Sequence, residues 1–139
     1  MSKLLWTFHV LLTLAFFVFG LQKVVMPIPD LVEQGMHWIE DFPTWQVRAI
    51  GALEVLAALG LNAPYLIKRM PKLLVPLAAG GMALTMSGAV ITHVARQDPV
   101  ASIIITSALF AMSATLATKR FGATRSFGSI DDGEARSKA

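Results

Sequence analysis

Four long apolar segments dominate the pattern of hydrophobic and polar positions along the chain. They cover residues 4–26, 44–67, 73–95 and 100–118. An α-helix rises about 1.5 Å per residue, so each segment is long enough to cross a hydrocarbon core about 30 Å thick. The pattern therefore predicts an all-α membrane protein with four transmembrane helices in a compact bundle.

Short polar or proline-containing breaks separate these segments. MPIPD follows the first segment, KRMPK the second and RQDP the third, and such sequences end helices or form turns. Residues 122–139 are polar and rich in Gly and Ser, and they show no hydrophobic periodicity. We predict one membrane domain over residues 1–121, followed by a flexible polar tail over residues 122–139 that is dispensable for insertion and folding.

Composition supports a small integral membrane protein. Of the 139 residues, 55% are hydrophobic and 15% are charged, and the mean hydropathy is +0.61. The chain has no cysteine, which excludes a disulfide framework, a thiolate metal site and an iron–sulfur cluster. The net charge of +3 is too small to indicate nucleic-acid binding.

The first segment has a second interpretation, as a cleaved signal peptide. Lys3 precedes the apolar stretch, and VFG resembles a cleavage site. The stretch is long for a signal peptide and continues past that site, which favours a transmembrane helix.

The distribution of basic residues predicts the orientation of the bundle. The loop PIPDLVEQGMHWIEDF carries acidic residues but no Lys or Arg, whereas basic residues collect at the opposite side. By the positive-inside rule the basic side is cytoplasmic, so both termini lie inside a multi-pass protein of the cell inner (plasma) membrane. The basic residues on that side are Lys3, Lys68, Arg69, Lys72, Lys119 and Arg120.

The acidic loop has a helix signal of its own. Asp30 followed by Glu33 resembles a capping box, which predicts a short helix lying on the membrane surface. Its apolar positions are Leu31, Val32, Met36 and Ile39.

Glu54 lies in the middle of the apolar run RAIGALEVLAALGL. Helical spacing puts Glu54 on one face with Gly51 and Ala58, which points it into the bundle, where a carboxylate needs a partner or a proton. Lys23 and His93, on two other helices, lie about 9 Å nearer the acidic side by helix rise. Because side chains tilt toward the N-terminus of their helix, this offset shrinks and both residues become candidate partners.

Each candidate also has a structural interpretation. Lys23 near a helix end is more often a snorkelling anchor than a site residue, and His93 could equally lie at the membrane interface. Glu54 is the exception, because a buried membrane carboxylate is a functional candidate by default. We predict that Glu54 and His93 are catalytic residues that handle protons. The predicted ligand-binding residues are Lys23, Arg48 and Arg96.

No metal or haem site is predicted. His9 and His93 fall in opposite halves of the membrane, so they cannot be two axial ligands of one haem. Met82 and Met86 share a helix stripe with His93, but such a stripe usually packs a core. The sequence contains no nucleotide-binding glycine loop, nucleophile elbow or HExxH motif.

Three stretches of the chain resemble the DoxX-like family of small four-helix membrane proteins. They are FGLQK, DFPTWQVRAIGALEVLAALGLNAP and GMALTMSGAVITHVARQD, and the resemblance covers roughly residues 15–100. The motifs that carry it are Gly20-x-x-Lys23, Arg48-x-x-Gly51-x-x-Glu54 and Gly88-Ala89-x-x-x-His93.

The resemblance implies a fold more firmly than an activity. Some relatives are linked to quinone-coupled sulfur oxidation or to protection against quinones and oxidants, and others in the wider superfamily assist membrane-protein assembly. The resemblance therefore implies a membrane subunit that binds a quinone-like or other small molecule in the outer half of the bundle, within a redox or oxidant-protection complex. The chain has no recognisable redox cofactor site, so electrons would have to come from a partner protein.

Two other functions stay open at this point. The protein could be an assembly or scaffold factor, in which the polar cluster only fixes helix register. It could also pass a proton or a small solute, although four short helices leave little room for a path unless the chain forms a homo-oligomer.

Topology is directly testable. The basic residues after residues 67 and 118, opposite an acidic loop, predict that both termini are cytoplasmic. A reporter enzyme that is active only outside the cytoplasm should therefore be inactive when fused after Ala139. Activity of that fusion would reverse the predicted orientation.

Overall fold

Helices form nearly the whole backbone in a computed structural model of the chain. The structure describes the backbone of residues 2–137 and the side chains of residues 2–123. Within this part all regular elements are helical, which confirms the predicted all-α fold. They are α1 (Lys3–Val25), α2 (Ile28–Glu33), a 3₁₀ helix (His37–Asp41), α3 (Thr44–Leu66), α4 (Leu74–Ala95) and α5 (Val100–Ser137).

Among the residues that the structure describes, four helices are long and apolar enough to cross a membrane: α1, α3, α4 and residues 100–123 of α5. The bounds of α1, α3 and α4 agree with the predicted segments to within one residue. The last helix is longer than predicted, because no proline interrupts residues 100–137. Side chains from residue 124 onward lie outside the described part of the chain, so the flexibility and dispensability of the tail stay predictions.

The bundle is apolar on the outside and partly polar within. Leu56, Leu84 and Ile91 are among many large apolar side chains that point away from the protein, as expected where lipid is the solvent. The buried side chains include Glu54 and Lys23. This arrangement fits a membrane-embedded chain, in which polar groups are satisfied within the bundle.

A close helix contact joins α1 to α3 at two glycines. A Cβ atom on Gly20 would lie 2.8 Å from the Glu54 Cβ and 2.8 Å from the Gly51 carbonyl oxygen. One on Gly51 would lie 2.7 Å from both the Gly20 carbonyl oxygen and the Lys23 Cβ. Such distances exclude any side chain at either position. Small residues thus let the two backbones approach, and the approach brings Lys23 beside Glu54.

Residues 27–43 connect α1 to α3 and cover one end of the bundle; we call this segment the roof. It contains α2 and the 3₁₀ helix, so the predicted short helix is present. The apolar side chains of Leu31 and Ile39 are buried together with Val47 at the start of α3. The roof therefore turns these apolar residues into the protein, whereas the sequence pattern predicted that they lie on the membrane.

The predicted capping box in the roof is wrong. Pro27 occupies the cap position and no side chain caps the helix. Asp30 lies inside α2, because proline is favoured at a helix start, where its missing N–H costs no hydrogen bond.

The contact between Gly20 and Gly51 leads to a prediction about the stability of the protein. Gly51→Ala should lower the free energy of unfolding by about 1–3 kcal/mol, because the added methyl group must push α1 away from α3. Gly80→Ala is the matched control, since a Cβ there meets nothing within 4 Å and alanine favours a helix. Denaturant unfolding in detergent micelles measures both. Equal stability of the two variants would contradict the close contact.

Candidate functional site

Lys23 and Glu54 form a buried ion pair between α1 and α3. The Lys23 Nζ lies 2.6 Å from the Glu54 Oε2, and the two side chains are only 8% and 4% exposed. Lys23 belongs to the last turn of α1, whose carbonyl groups lack partners within the helix. Arg48 supplies one, because its Nη1 donates to the Lys23 carbonyl oxygen at 2.5 Å. The position of Lys23 is therefore fixed through both its side chain and its backbone.

A second polar pair lies where α4 meets α5. His93 Nδ1 is 2.6 Å from Asp98 Oδ2. The backbone explains this contact: Asp98 N donates to the His93 carbonyl and Gln97 N to the Val94 carbonyl, which is the Schellman pattern of a helix C-terminus. Gln97 takes the left-handed φ of 56° that this motif requires. The end of α4 thereby folds Asp98 back onto His93.

Arg96 joins this pair to the roof. Its Nε donates to Asp98 Oδ1 at 3.3 Å and its Nη2 donates to the His37 carbonyl oxygen at 3.4 Å. Its guanidinium also pairs with the Asp41 carboxylate. The hydrogen bond from His93, followed by the effects of Arg96, holds the pKa of the Asp98 carboxyl below its usual range. Asp98 is therefore ionised at neutral pH.

A cavity of about 580 Å³ lies under the roof, within the size range of small-molecule sites. Its walls come from α1, α3, α4 and α5 and are mostly apolar. Lys23, Glu54 and His93 contribute polar groups to these walls. The roof residues that line the cavity are Gln34, Gly35, Met36, Trp38 and Phe42.

Both members of the ion pair line the cavity and can still make polar contacts there. Only Oε2 of Glu54 is used, and within the described residues Oε1 has no hydrogen-bond partner. The Lys23 Nζ also lies 5.8 Å from the centre of a Trp38 ring, a distance at which a cation is attracted to an aromatic face. The ammonium group is thus held by a carboxylate and an indole at the cavity wall.

The five residues singled out from the sequence fall into two groups. Lys23, Glu54 and His93 line one cavity. Arg48 and Arg96 are not among its lining residues; Arg48 holds the end of α1 and Arg96 holds the roof. The catalytic and ligand-binding roles of all five remain predictions.

Sequence reasoning missed Asp98 and the roof. The turn sequence RQDP indicated only a break, since a glycine would have been the usual sign of the left-handed position that Gln97 occupies. In the sequence Trp38 has the character of an interfacial aromatic residue, whereas in the structure its ring packs 5.7 Å from the Phe42 ring and both residues line the cavity.

Another buried polar cluster lies nearer the opposite end of the bundle. His9 is 1% exposed, and its Nε2 lies 3.2 Å from Asn62 Oδ1. The Asn62 amide donates to Thr13 Oγ1 at 2.9 Å and to the Ala58 carbonyl at 2.8 Å. These contacts join α1 to α3 a second time, although within the described residues the buried His9 Nδ1 has no hydrogen-bond partner. The fully buried Leu12 and Leu61 belong to the core that lies between the two ends.

Among the residues whose placement is described, no group of three His, Cys, Asp or Glu side chains could hold a metal ion.

Comparison with known proteins assigns the fold family. The sequence profile of the DoxX-like family matches residues 7–116, a region that includes most of α1, the roof, α3, α4 and most of the membrane-spanning part of α5. No curated protein and no solved structure matches the chain significantly. The match spans most of the chain and contains every residue of the cavity wall described above. The protein belongs to the DoxX-like family.

Proposed function

We propose that the chain is an integral membrane subunit that binds a quinone-like molecule in the cavity under the roof. The observation that carries this proposal is the composition of the wall: an amine, a carboxylate and an imidazole open into an otherwise mostly apolar cavity of about 580 Å³. Small-molecule sites typically combine an apolar lining with a few placed polar groups.

The polar groups suit the two redox forms of such a head group. An oxidised quinone carries carbonyl oxygens that accept hydrogen bonds, and the Lys23 Nζ can donate to one of them. A reduced hydroquinone carries hydroxyl groups that donate, and Glu54 Oε1 can accept. His93 Nε2 is a second acceptor, because Nδ1 is already bonded to Asp98.

When bound, the quinone would supply two-electron, two-proton redox chemistry. The residues of the chain would handle only the protons. Glu54 would accept one proton at Oε1 and become neutral, and the Lys23 Nζ beside Oε2 would then donate to a carbonyl oxygen of the oxidised quinone. His93 would take or return the other proton at Nε2. Electrons would pass to or from a partner protein, which makes the chain one subunit of a redox or oxidant-protection complex in the cell inner membrane.

A second candidate function is an assembly or scaffold role, and one observation favours it. The ion pair lies at the closest contact of α1 with α3, where it could serve only to hold the helices in register. A transport role is less well supported, because buried apolar side chains separate the cavity from the polar cluster of His9 and Asn62.

Binding can be measured through Trp38, which lines the cavity. In a chain with Trp6 and Trp45 replaced by Phe, tetramethylbenzoquinone and its hydroquinone should change Trp38 fluorescence in a saturable way. Glu54→Gln should weaken hydroquinone binding about tenfold or more while the protein stays folded, because a charge-assisted hydrogen bond is lost.

Two controls accompany this experiment. Glu33→Gln removes an exposed acid of the roof that does not line the cavity and should leave the affinity unchanged. The second control is a chain that retains only Trp45, which is 68% exposed. Its fluorescence measures the quenching caused by quinone that is dissolved in the lipid. Unchanged hydroquinone affinity in Glu54→Gln, or quenching that never saturates, would contradict the proposed function.

A double-mutant cycle separates the two candidate functions. Glu54→Leu alone should cost about 3–5 kcal/mol of stability, because it strands the Lys23 charge in the bundle. Adding Lys23→Met should recover most of that loss. A scaffold role predicts that the double variant also recovers function in cells, whereas ligand binding predicts a stable protein without function. Complementation of a deletion strain therefore decides between them.

A further inference from the structure

We propose that Asp98 is the positioning residue of this site: its carboxylate holds the His93 ring with the proton on Nδ1, so that Nε2 presents a lone pair to the cavity. This inference rests on the proposed function and deepens it, because it sets which form of the ligand the site accepts. Asp98 acts through His93 and does not itself line the cavity.

The geometry at Asp98 places a proton on Nδ1 of His93. His93 Nδ1 is 2.6 Å from Oδ2, and Arg96 Nε is 3.3 Å from Oδ1. Both carboxylate oxygens therefore accept, and an ionised carboxylate has no proton to donate. The hydrogen on the short contact must belong to Nδ1 of His93. A neutral imidazole with Nδ1–H has its lone pair on Nε2, and a partner at one ring nitrogen is what commonly sets this choice.

The backbone makes the arrangement rigid. The Schellman turn ties Asp98 N to the carbonyl of His93 itself, so the carboxylate and the imidazole are linked through both main chain and side chain. Arg96 anchors the outer edge of Asp98 and pairs with Asp41 of the roof. The imidazole is thus oriented by a turn that is also fastened to the cover of the cavity.

Other charged groups lie around Asp98 and on the cavity wall. Arg96 on the turn and Asp41 on the roof flank Asp98. On the cavity wall, α1 and α3 contribute the paired Lys23 and Glu54. Because each of these charges is already paired, Asp98 is the charged group that bonds the imidazole directly.

The tautomer determines which ligand form binds. With the proton on Nδ1, the wall offers two acceptors, Glu54 Oε1 and His93 Nε2, to a molecule that carries two hydroxyl groups. With the proton on Nε2, His93 becomes a donor to the cavity and one acceptor is lost. Asp98 therefore favours the dihydroxy form of a quinone-like ligand over its dicarbonyl form.

Nitrogen NMR tests the inference without any ligand. The chain has three histidines, so ¹⁵N-labelled imidazole signals of the full-length protein in lipid nanodiscs can be assigned by replacing each in turn. The wild-type spectrum should show His93 with a protonated Nδ1 and an unprotonated Nε2. In Asp98→Asn the amide can donate to Nδ1 instead, so the signals should shift toward a protonated Nε2.

Asp41→Asn is the matched control. It removes a carboxylate bound to the same arginine but does not touch the imidazole, so the wild-type tautomer should persist. A wild-type His93 protonated at Nε2, or an Asp98→Asn spectrum equal to the wild type, would overturn the inference.

A ligand experiment then separates this inference from the proposed function. The ratio of the dissociation constants for tetramethylhydroquinone and tetramethylbenzoquinone should rise about tenfold in Asp98→Asn, because an acceptor becomes a donor. An unchanged ratio beside the expected tautomer shift would overturn the specificity role. Absence of any binding to the wild type would refute the proposed function and leave the NMR result to decide the tautomer.

Discussion

The close approach of α1 and α3 at Gly20 and Gly51 is the contact on which the rest of the site depends. It leaves no room for a side chain at either glycine, and it brings Lys23 within 2.6 Å of Glu54. A carboxylate on α3 without a partner would cost free energy in lipid, so Glu54 needs Lys23 beside it. The two glycines allow the helices to come close enough for that pair to form. Arg48 adds to the same contact by satisfying the end of α1.

The roof turns this helix contact into one wall of a cavity. Without residues 27–43, the wall that holds Lys23 and Glu54 would be uncovered at one end of the bundle, where the aromatic side chains of the roof line the cavity. The Arg96 guanidinium fastens the roof to the turn that also orients His93. The side chains that line the cavity and those that hold the roof therefore belong to one network. In this member of the DoxX-like family, the segment between α1 and α3 thus covers one end of the cavity.

The helices and the buried face of α3 could be predicted from the sequence, because hydrophobic length and helical periodicity are local properties. Glu54 and Lys23 followed from the same periodicity and from side-chain tilt. Asp98 could not, because the left-handed turn that returns it to His93 uses Gln97 where a glycine is usual. The position of the roof could not be predicted either. Its apolar residues suit a membrane surface as well as a contact with Val47, and the choice between the two depends on tertiary packing. The contact of His9 with Asn62 joins residues 53 positions apart, and no local pattern indicates it.

The proposed function requires that the carboxyl group of Glu54, although buried, contact the bound molecule directly. Infrared difference spectroscopy on the full chain with ¹³C-labelled glutamate, recorded as tetramethylhydroquinone is added, measures this most directly. We expect a shift in the band of one glutamate carboxyl group on binding, and the loss of that shift in Glu54→Gln. Saturable binding that leaves every glutamate band unchanged would contradict it and leave the ion pair as a purely structural feature of the bundle.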